Sequence, residues 1–345
     1  MKTRISNDPR HLPGRLMVLL AMCSLPALPA RAAERTLPDI TIDDSDVYPE
    51  SLSAAPDGTV YIGSMKGIVF RAQPASSHAV AWIRPTPENG ILSLLGVLAD
   101  TRSHTLWLCS DPTPLRSPPV TGVASLMAFD LKSGARKATY PFPPPQSACN
   151  DITIAADGTV YATDTPNGRI FRLRPSSAAA GATEDKSGYG GQVRLPTDAN
   201  ALELFAEDPR LKGIDGIVMS GDGVMYVNIV TRGQLLRVDV KADGSLAGLT
   251  ELALSQPVGG PDGFRLIAGR RFLLAEGTAG RIDEVTIEGD TAAVRTLKDG
   301  FTSTPGVTLV GRTGYLLEGK IGYLIDPRLK GQDPGIFKAY AVPID

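Results

Sequence analysis

The sequence predicts an all-β fold built from repeated antiparallel units, and three observations lead there. The first is the stretch 148–172, where two polar residues, Asn150 and Asp151, head a short apolar run. A turn at Asp157-Gly158 leads into a strand from Thr159 to Thr163, and a turn at Pro166-Asn167-Gly168 into another from Arg169 to Leu173. Asp-Gly and Asn-Gly between alternating β-formers are strong hairpin signals, because glycine tolerates the positive φ these turns need. The second is recurrence: residues 49–71 and 214–237 repeat the pattern, and a weaker copy starts at Pro261-Asp262-Gly263. Two further copies lack the polar head, Leu95-Gly96-Val97 to Trp107 and Pro305-Gly306-Val307 to Tyr315. The third is composition: Gly (36) and Pro (28) are abundant while long helical periodicities are few, which suits many short strands joined by tight turns.

Six units result, anchored by Tyr61, Trp107, Tyr161, Tyr226, Phe272 and Tyr315 at spacings of 43 to 65 residues. Meanders at this period signify propeller blades. One four-stranded blade cannot bury both faces, whereas six packed around an axis can. The expected architecture is therefore a six-bladed β-propeller of four-stranded antiparallel blades. A β-sandwich does not explain a repeated meander of this period.

In chain order, residues 1–32 read as a signal peptide. Lys2, Arg4, Arg10 and Arg15 form a positive start, Leu16 to Leu28 is apolar but too short to span a bilayer, and Ala30-Arg31-Ala32 is a cleavage signal. Cys23 raises a lipoprotein alternative, but Met22 before it is larger than that processing prefers. The expected location is periplasmic or secreted, with no stable membrane anchor. Residues 33–345 are read as one propeller domain. Glu34 to about Tyr48 is expected to supply or cover the outer strand of the last blade, where Ile336 to Ile344 meets it. The segment 175–212 exceeds what a blade connection needs. Its first part, Ser176 to Gly191, shows no strand pattern, and Ala199 to Leu211 is expected to form a short helix.

Formal net charge is −2, with no basic face for nucleic acid and no polybasic tail for a membrane surface. The expected partner is a small-molecule substrate; oligomeric state is left open. Two cysteines remain after residue 32, Cys109 and Cys149. In an oxidising compartment an even pair is open both to a disulfide and to two buried thiols.

The chemistry lies at the strand heads. In a propeller the innermost strands all start at one end of the axis, so their first residues face one another across the channel mouth. Four units head that strand with a carboxylate or amide: Glu50, Asn150 (followed by Asp151), Asp215 and Asp262. Glu50, Asn150 and Asp215 each precede their turn glycine by eight residues, and Asp262 precedes its own by seven. Converging carboxylates repel unless something positive sits among them. All-oxygen ligands suit a hard divalent cation, Ca²⁺ first, then Mg²⁺ or Mn²⁺; Zn²⁺ is less natural, since neither His78 nor His104 heads an inner strand. Asp57-Gly58, Asp157-Gly158 and Asp222-Gly223 read as turns at the opposite end, and Asp164 as a partner of the following turn. With no Gly-x-Ser-x-Gly elbow and no inward histidine, a Ser-His-Asp triad is not expected.

The Pro-Glu, Asn-Asp, Asp-Gly and Pro-Asp-Gly heads, in this order on six meanders, resemble the senescence-marker-protein, gluconolactonase and luciferin-regenerating-enzyme family of six-bladed propellers. The resemblance covers essentially the whole chain after residue 32 and implies a single divalent cation at the channel mouth. Within it Glu50 matches the first-blade glutamate ligand, and Asn150 an asparagine contacting substrate or metal. Asp215 stands where an asparagine ligand is usual, and Asp262 matches the ligating aspartate proposed as base. Two departures stand out: the carboxylate at Asp215, and Ala148 in place of an arginine that holds sugar-acid substrates. The expectation is an exported, metal-dependent lactone hydrolase in which Asp262 or Asp151 takes the proton of a metal-activated water and Asn150 orients the carbonyl. A non-catalytic binding propeller, or a phosphotriesterase-like or strictosidine-synthase-like enzyme on the same scaffold, are the alternatives.

Overall fold

The computed structural model describes residues 37–113, 115, 119–176, 195–198 and 200–345, and those from 37 onward belong to one unit. The segments read as a signal peptide and as the Ser176–Gly191 stretch lie almost wholly outside the described residues.

Short strands in successive meanders dominate. After β1 (Ile40–Ile42), the first meander is β2 (Pro49–Ala54), β3 (Val60–Ser64), β4 (Val69–Ala72) and β5 (His78–Ile83). The second is β6 (Ser93–Asp100), β7 (Thr105–Asp111), β8 (Ser125–Asp130) and β9 (Arg136–Pro141). The third is β10 (Cys149–Ile154), β11 (Val160–Asp164), β12 (Arg169–Leu173) and β13 (Leu202–Glu207). The fourth is β14 (Ile214–Met219), β15 (Met225–Ile229), β16 (Gln234–Val240) and β17 (Leu246–Glu251). The fifth adds β18 (Ala253–Leu254) alongside β19 (Pro261–Ala268), β20 (Arg271–Glu276), β21 (Arg281–Glu288) and β22 (Thr291–Lys298). The chain ends with β23 (Gly306–Val310), β24 (Thr313–Leu317), one helical turn α1 (Gly322–Ile325) and β25 (Lys338–Pro343).

Pairing within each meander is sequential and antiparallel, except that β18 adds in parallel to the outer edge of β22. The first and last meanders are joined into one eight-stranded sheet, because β1 pairs antiparallel with β25 (Ile40 opposite Ala339) and parallel with β5 (Thr41 opposite His78). The N-terminal residues thus supply the outer strand of the last meander. The six first strands touch one another in a cycle, β2 to β6, β10, β14, β19, β23 and back to β2. Hydrophobic clusters lie between neighbouring sheets: Trp107, Leu126 and Phe142 pack with Ile152 and Phe171, and Tyr226 packs with Phe264 and Phe272. Such faces must be covered on both sides, which is why the strands read as nearly continuous apolar runs.

The Asp-Gly pairs are turns. The Asp57 and Asp157 carboxylates each accept the N–H of the residue two ahead at 2.8 Å, and Gly58, Gly158 and Gly223 hold φ of +89°, +86° and +80°.

Two details differ from the sequence reading. Residues 202–207 form an outer strand, not part of a helix; β13 covers the otherwise open edge of β12, with Phe205 and Ala206 buried and Glu203 exposed. In the fifth meander the anchor position is filled by Leu273, opposite Arg265, and not by Phe272, which faces Leu266. The reason is that head and anchor keep one spacing: Leu273 follows Asp262 by eleven residues, as Tyr61 follows Glu50 and Tyr226 follows Asp215, although the turn glycine, Gly269, comes one residue sooner.

Candidate functional site

Register fixes the level of the strand heads. Pro49, Cys149, Ile214 and Pro261 lie opposite the last residues of their partner strands, Ser64, Asp164, Ile229 and Glu276. The ladder is interrupted immediately after each of them. These interruptions re-aim the next side chain away from the sheet. The side chains so placed are Glu50, Asn150, Asp215 and Asp262, the four heads singled out in the sequence. Leu95 and Pro305 occupy the equivalent places in the second and last meanders.

The structure brings Asn150, Asp215 and Asp262 close enough to act on one another's charge state. Asn150 donates through Nδ2 to Thr165 Oγ1 at 2.9 Å. Burial raises the Asp215 carboxyl to about 7, with the Asp151 charge adding to the rise and the neighbouring Asp262 and Asn150 opposing it. Burial, then the charges of Asp215 and Glu50, hold Asp262 well above the usual carboxylate range. Glu50 is raised for the same reasons: burial first, then Asp215, Asp151 and Asp111, with Arg265 opposing. Low dielectric and like charge act in one direction here, so a proton is retained within the cluster.

Asp151 lies one residue below this level and is committed elsewhere. Its carboxylate takes both guanidinium ends of Arg265, Nη1 at 2.7 Å and Nη2 at 2.8 Å, and also accepts the Ile217 N–H at 3.1 Å. A bidentate charge-assisted pair of this kind leaves Asp151 no ready acceptor for a proton from water. This pairing counts against Asp151 as the base of the sequence reading.

Donor chemistry at the heads suits a hard divalent cation: an amide and three carboxylates whose ionisation is opposed by burial and mutual repulsion. The arrangement is a partial nest. Among the described residues no three His, Cys, Asp or Glu side chains are grouped to hold a metal ion. What stands together is the Asp215–Asp262 pair with Asn150 beside it, and Glu50 acts on both carboxylates through its charge. Neither histidine takes part: His78 pairs with Asp43 at 2.7 Å on the surface, and His104 sits in a turn at φ +49°.

Second strands hold the heads in place, a role the sequence reading missed. The Thr163 hydroxyl donates to the carbonyl of Asp215 at 2.9 Å, and the Asn228 amide donates to that of Asp262 while accepting the Gly216 N–H at 3.0 Å. Both residues are fully buried. A buried asparagine inside an apolar strand was the available signal for Asn228.

Acids at the ends of second strands serve a different purpose. Asp111 accepts the Cys149 N–H at 2.8 Å, Asp164 the Ala148 N–H at 3.0 Å, Glu276 the Gly259 N–H and Glu318 the Thr302 N–H at 3.0 Å. Three have internal cations: Arg169 for Asp164, Arg281 for Glu276 and Lys320 for Glu318. They latch the chain that enters three of the inner strands, β10, β19 and β23. Cys109 and Cys149, on neighbouring sheets, form a disulfide with Cα atoms 5.0 Å apart.

No family model and no curated relative matches the chain. Solved structures do. A gluconolactonase from Xanthomonas campestris superposes over 90% of this chain and 99% of its own, at 13% identity and TM-score 0.60. Luciferin-regenerating enzyme superposes over 87% of this chain and 92% of its own, at 13% identity and TM-score 0.58. Virginiamycin B lyase from Staphylococcus aureus superposes over 89% of this chain and 99% of its own, at 15% identity and TM-score 0.54. The neighbours are β-propellers, and they include the gluconolactonase and luciferin-regenerating-enzyme structures that the strand-head resemblance pointed to. At these identities the likeness establishes the fold: the chain is an all-β propeller.

Proposed function

We propose that the chain is a six-bladed propeller hydrolase that opens a lactone, or a related ester, at the mouth formed by Glu50, Asn150, Asp215 and Asp262. The eight-stranded sheet is read as two blades sharing β1, and the six-membered cycle of inner strands supports that count. One observation carries the functional reading: Glu50, Asn150, Asp215 and Asp262 stand at one level of the inner strands, so carboxyls of raised proton affinity share a place with an amide.

A divalent cation, Ca²⁺ by preference, held by Glu50, Asn150, Asp215 and Asp262 would supply Lewis-acid polarisation of the carbonyl and a more acidic water. The chain's own residues do the rest. The Asn150 amide donates to the carbonyl oxygen and fixes its direction. Asp262, once ionised, accepts a proton as the water oxygen bonds to the acyl carbon. The ring C–O bond then breaks, and the same proton passes from Asp262 to the departing oxygen, giving the hydroxy acid. The Asp215 charge adds to the burial that raises the proton affinity of Asp262, and a carboxyl so raised is a better proton acceptor than an ordinary one.

Export through the 1–32 segment is part of the proposal, and the Cys109–Cys149 disulfide accords with an oxidising compartment. Among the described residues no helix is long and apolar enough to cross a membrane. A second reading, a ligand-binding propeller without turnover, draws support from the incomplete grouping of carboxylates.

The test is a panel of lactones and esters assayed with metal-stripped protein resupplied with Ca²⁺, Mg²⁺, Mn²⁺ or Zn²⁺, alongside Asp262→Asn. Turnover restored by one ion and reduced at least about 100-fold in the variant is expected, the scale of a lost general base. Full activity in Asp262→Asn would remove that residue from the mechanism, and inactivity of the wild type on every substrate would favour the binding propeller.

A further inference from the structure

The inner strands follow a rule that two residues break, and the two exceptions meet. At the level just below the heads, five of the six strands carry Ser51, Gly96, Gly216, Gly263 and Gly306. The following inner strand leaves little room there: a Cβ on Gly96 would stand 2.2 Å from the Asn150 carbonyl oxygen, and one on Gly216 would stand 2.3 Å from that of Asp262. Ser51 uses its hydroxyl to accept the Val97 N–H of the next strand at 3.2 Å. Asp151 is the exception. Its Oδ2 makes the equivalent bond to Ile217, a task Ser51 accomplishes without a charge.

Two residues further along, Ser53, Thr153 and Thr308 each accept an N–H from the next strand, while Leu98 and Val218 are apolar. Arg265 is the exception at this level. Its guanidinium runs past β14 to reach Asp151 on β10, two inner strands away in the cycle. Both side chains are close to fully enclosed, at 11% and 6% exposure. Beyond the pair, towards the turns, lies a cavity of about 640 Å³ walled by Leu98, Ile154, Met219, Phe264 and Leu266. Arg265 itself lines this cavity, so the ion pair stands between it and the acidic strand heads.

Buried ion pairs contribute little net stability compared with apolar packing of the same volume. A serine and a small apolar residue would satisfy the fold at these levels, as they do in the other strands. The pair's further effect is electrostatic: Arg265 also acts on Glu50 and Asp262. We propose that Arg265, anchored across the channel by Asp151, is a positioning residue that sets the charge felt by a divalent cation at the heads. Asp151 keeps the guanidinium below the cluster, so that Glu50, Asp215 and Asp262 remain available to a cation and are not captured by an internal arginine. This inference rests on the cation-binding reading above.

The test is calorimetric titration of metal-stripped protein with Ca²⁺, using wild type, Asp151→Asn, Arg265→Met and the double variant, with melting temperature recorded for each. Asp151→Asn frees Arg265 to pair with Glu50 or Asp262, and is expected to weaken Ca²⁺ binding at least tenfold. Arg265→Met removes the competing cation, and is expected to leave binding as tight as wild type or tighter. The double variant is expected to return to within about threefold of wild type. If Arg265→Met does not fold, the contrast between Asp151→Asn and the double variant decides the matter. A purely structural pair would lower the melting temperature in the single variants and leave Ca²⁺ affinity unchanged throughout, which would overturn the proposal. A wild type that binds no Ca²⁺ would overturn the cation-binding reading itself, and the proposal with it; the two failures are told apart by the wild-type titration.

Discussion

Replacing Asn228 with alanine tests the joint between two neighbouring blades. The residue is fully buried, and its amide satisfies two backbone groups at once: the Gly216 N–H at 3.0 Å and the Asp262 carbonyl. Alanine reaches neither. Each buried group left unpaired costs about 1–3 kcal/mol, so the expected loss of stability is about 2–5 kcal/mol, a large share of the 5–15 kcal/mol typical of a folded domain. The measurement is urea unfolding followed by tryptophan fluorescence, comparing midpoints at constant slope. The two freed groups flank Asp215 and Asp262, so Ca²⁺ affinity is expected to fall with stability. Asn228→Asp gives a control with the same shape: it keeps the acceptor for Gly216 but turns an oxygen towards the Asp262 carbonyl, and its deficit is expected to grow with pH as the carboxyl ionises. A loss below about 1 kcal/mol in Asn228→Ala, with the slope unchanged, would refute the reasoning, because it would mean that water or a relaxed backbone meets both groups.

Two further outcomes follow from the same structure. Removing the disulfide by Cys109→Ala with Cys149→Ala opens a cross-link spanning 40 residues and is expected to lower stability by about 4 kcal/mol; a reductant should reproduce the loss in wild type, and an unchanged unfolding midpoint in the variant would contradict the expectation. For pH, the sign comes from Asp215, which titrates at about 7 when folded against a reference of 3.8, so the folded chain holds a proton that the unfolded chain has released. That contribution is complete at low pH and is lost as pH rises from about 4 to 7, at no more than ~1.4 kcal/mol per unit. Asp283, raised to about 7 by burial and by Glu276, acts in the same direction, so the part due to Asp215, with its effect on Glu50 and Asp262, is isolated by comparing melting curves of wild type and Asp215→Asn from pH 4.5 to 8 in chelator. Equal slopes in the two proteins would show that Asp215 titrates normally.

Turn chemistry made most of the fold legible before any coordinates. Asp157-Gly158 and its copies mark where the chain must take positive φ, and that requirement is local, so sequence reports it directly. The polar heads were legible for a related reason: their offset from those turns, eight residues in three units and seven in the fourth, shows which residues share a level. What stayed hidden depends on which side chains meet across the molecule. Nothing near Arg265 in sequence indicates Asp151, 114 residues earlier, although an arginine and an aspartate within otherwise apolar inner strands were each a sign of buried pairing. Residues 202–207 misled for a third reason. Leu202, Leu204, Phe205 and Ala206 satisfy a helical stripe as well as a strand, and the demand that settles it comes from the open edge of β12.

The seating of β1 has a consequence for how the molecule is made. Three residues, Ile40 to Ile42, hold together the first and last parts of the chain, with hydrogen bonds to β25 on one side and β5 on the other. The Tyr315 hydroxyl, donating to the Pro38 carbonyl at 3.0 Å, fastens the same segment. Its partner β25 (Lys338–Pro343) is made long after it, so β1 must wait for those residues before it can be seated on both sides. Until then the edges of β5 and of the final meander stay open to other chains, and contacts of such sequence separation are slow to form. Synthesis therefore carries a period of exposure that ends only when β25 has been made, and any factor that shields a bare strand edge during that interval would act on yield without touching the finished protein.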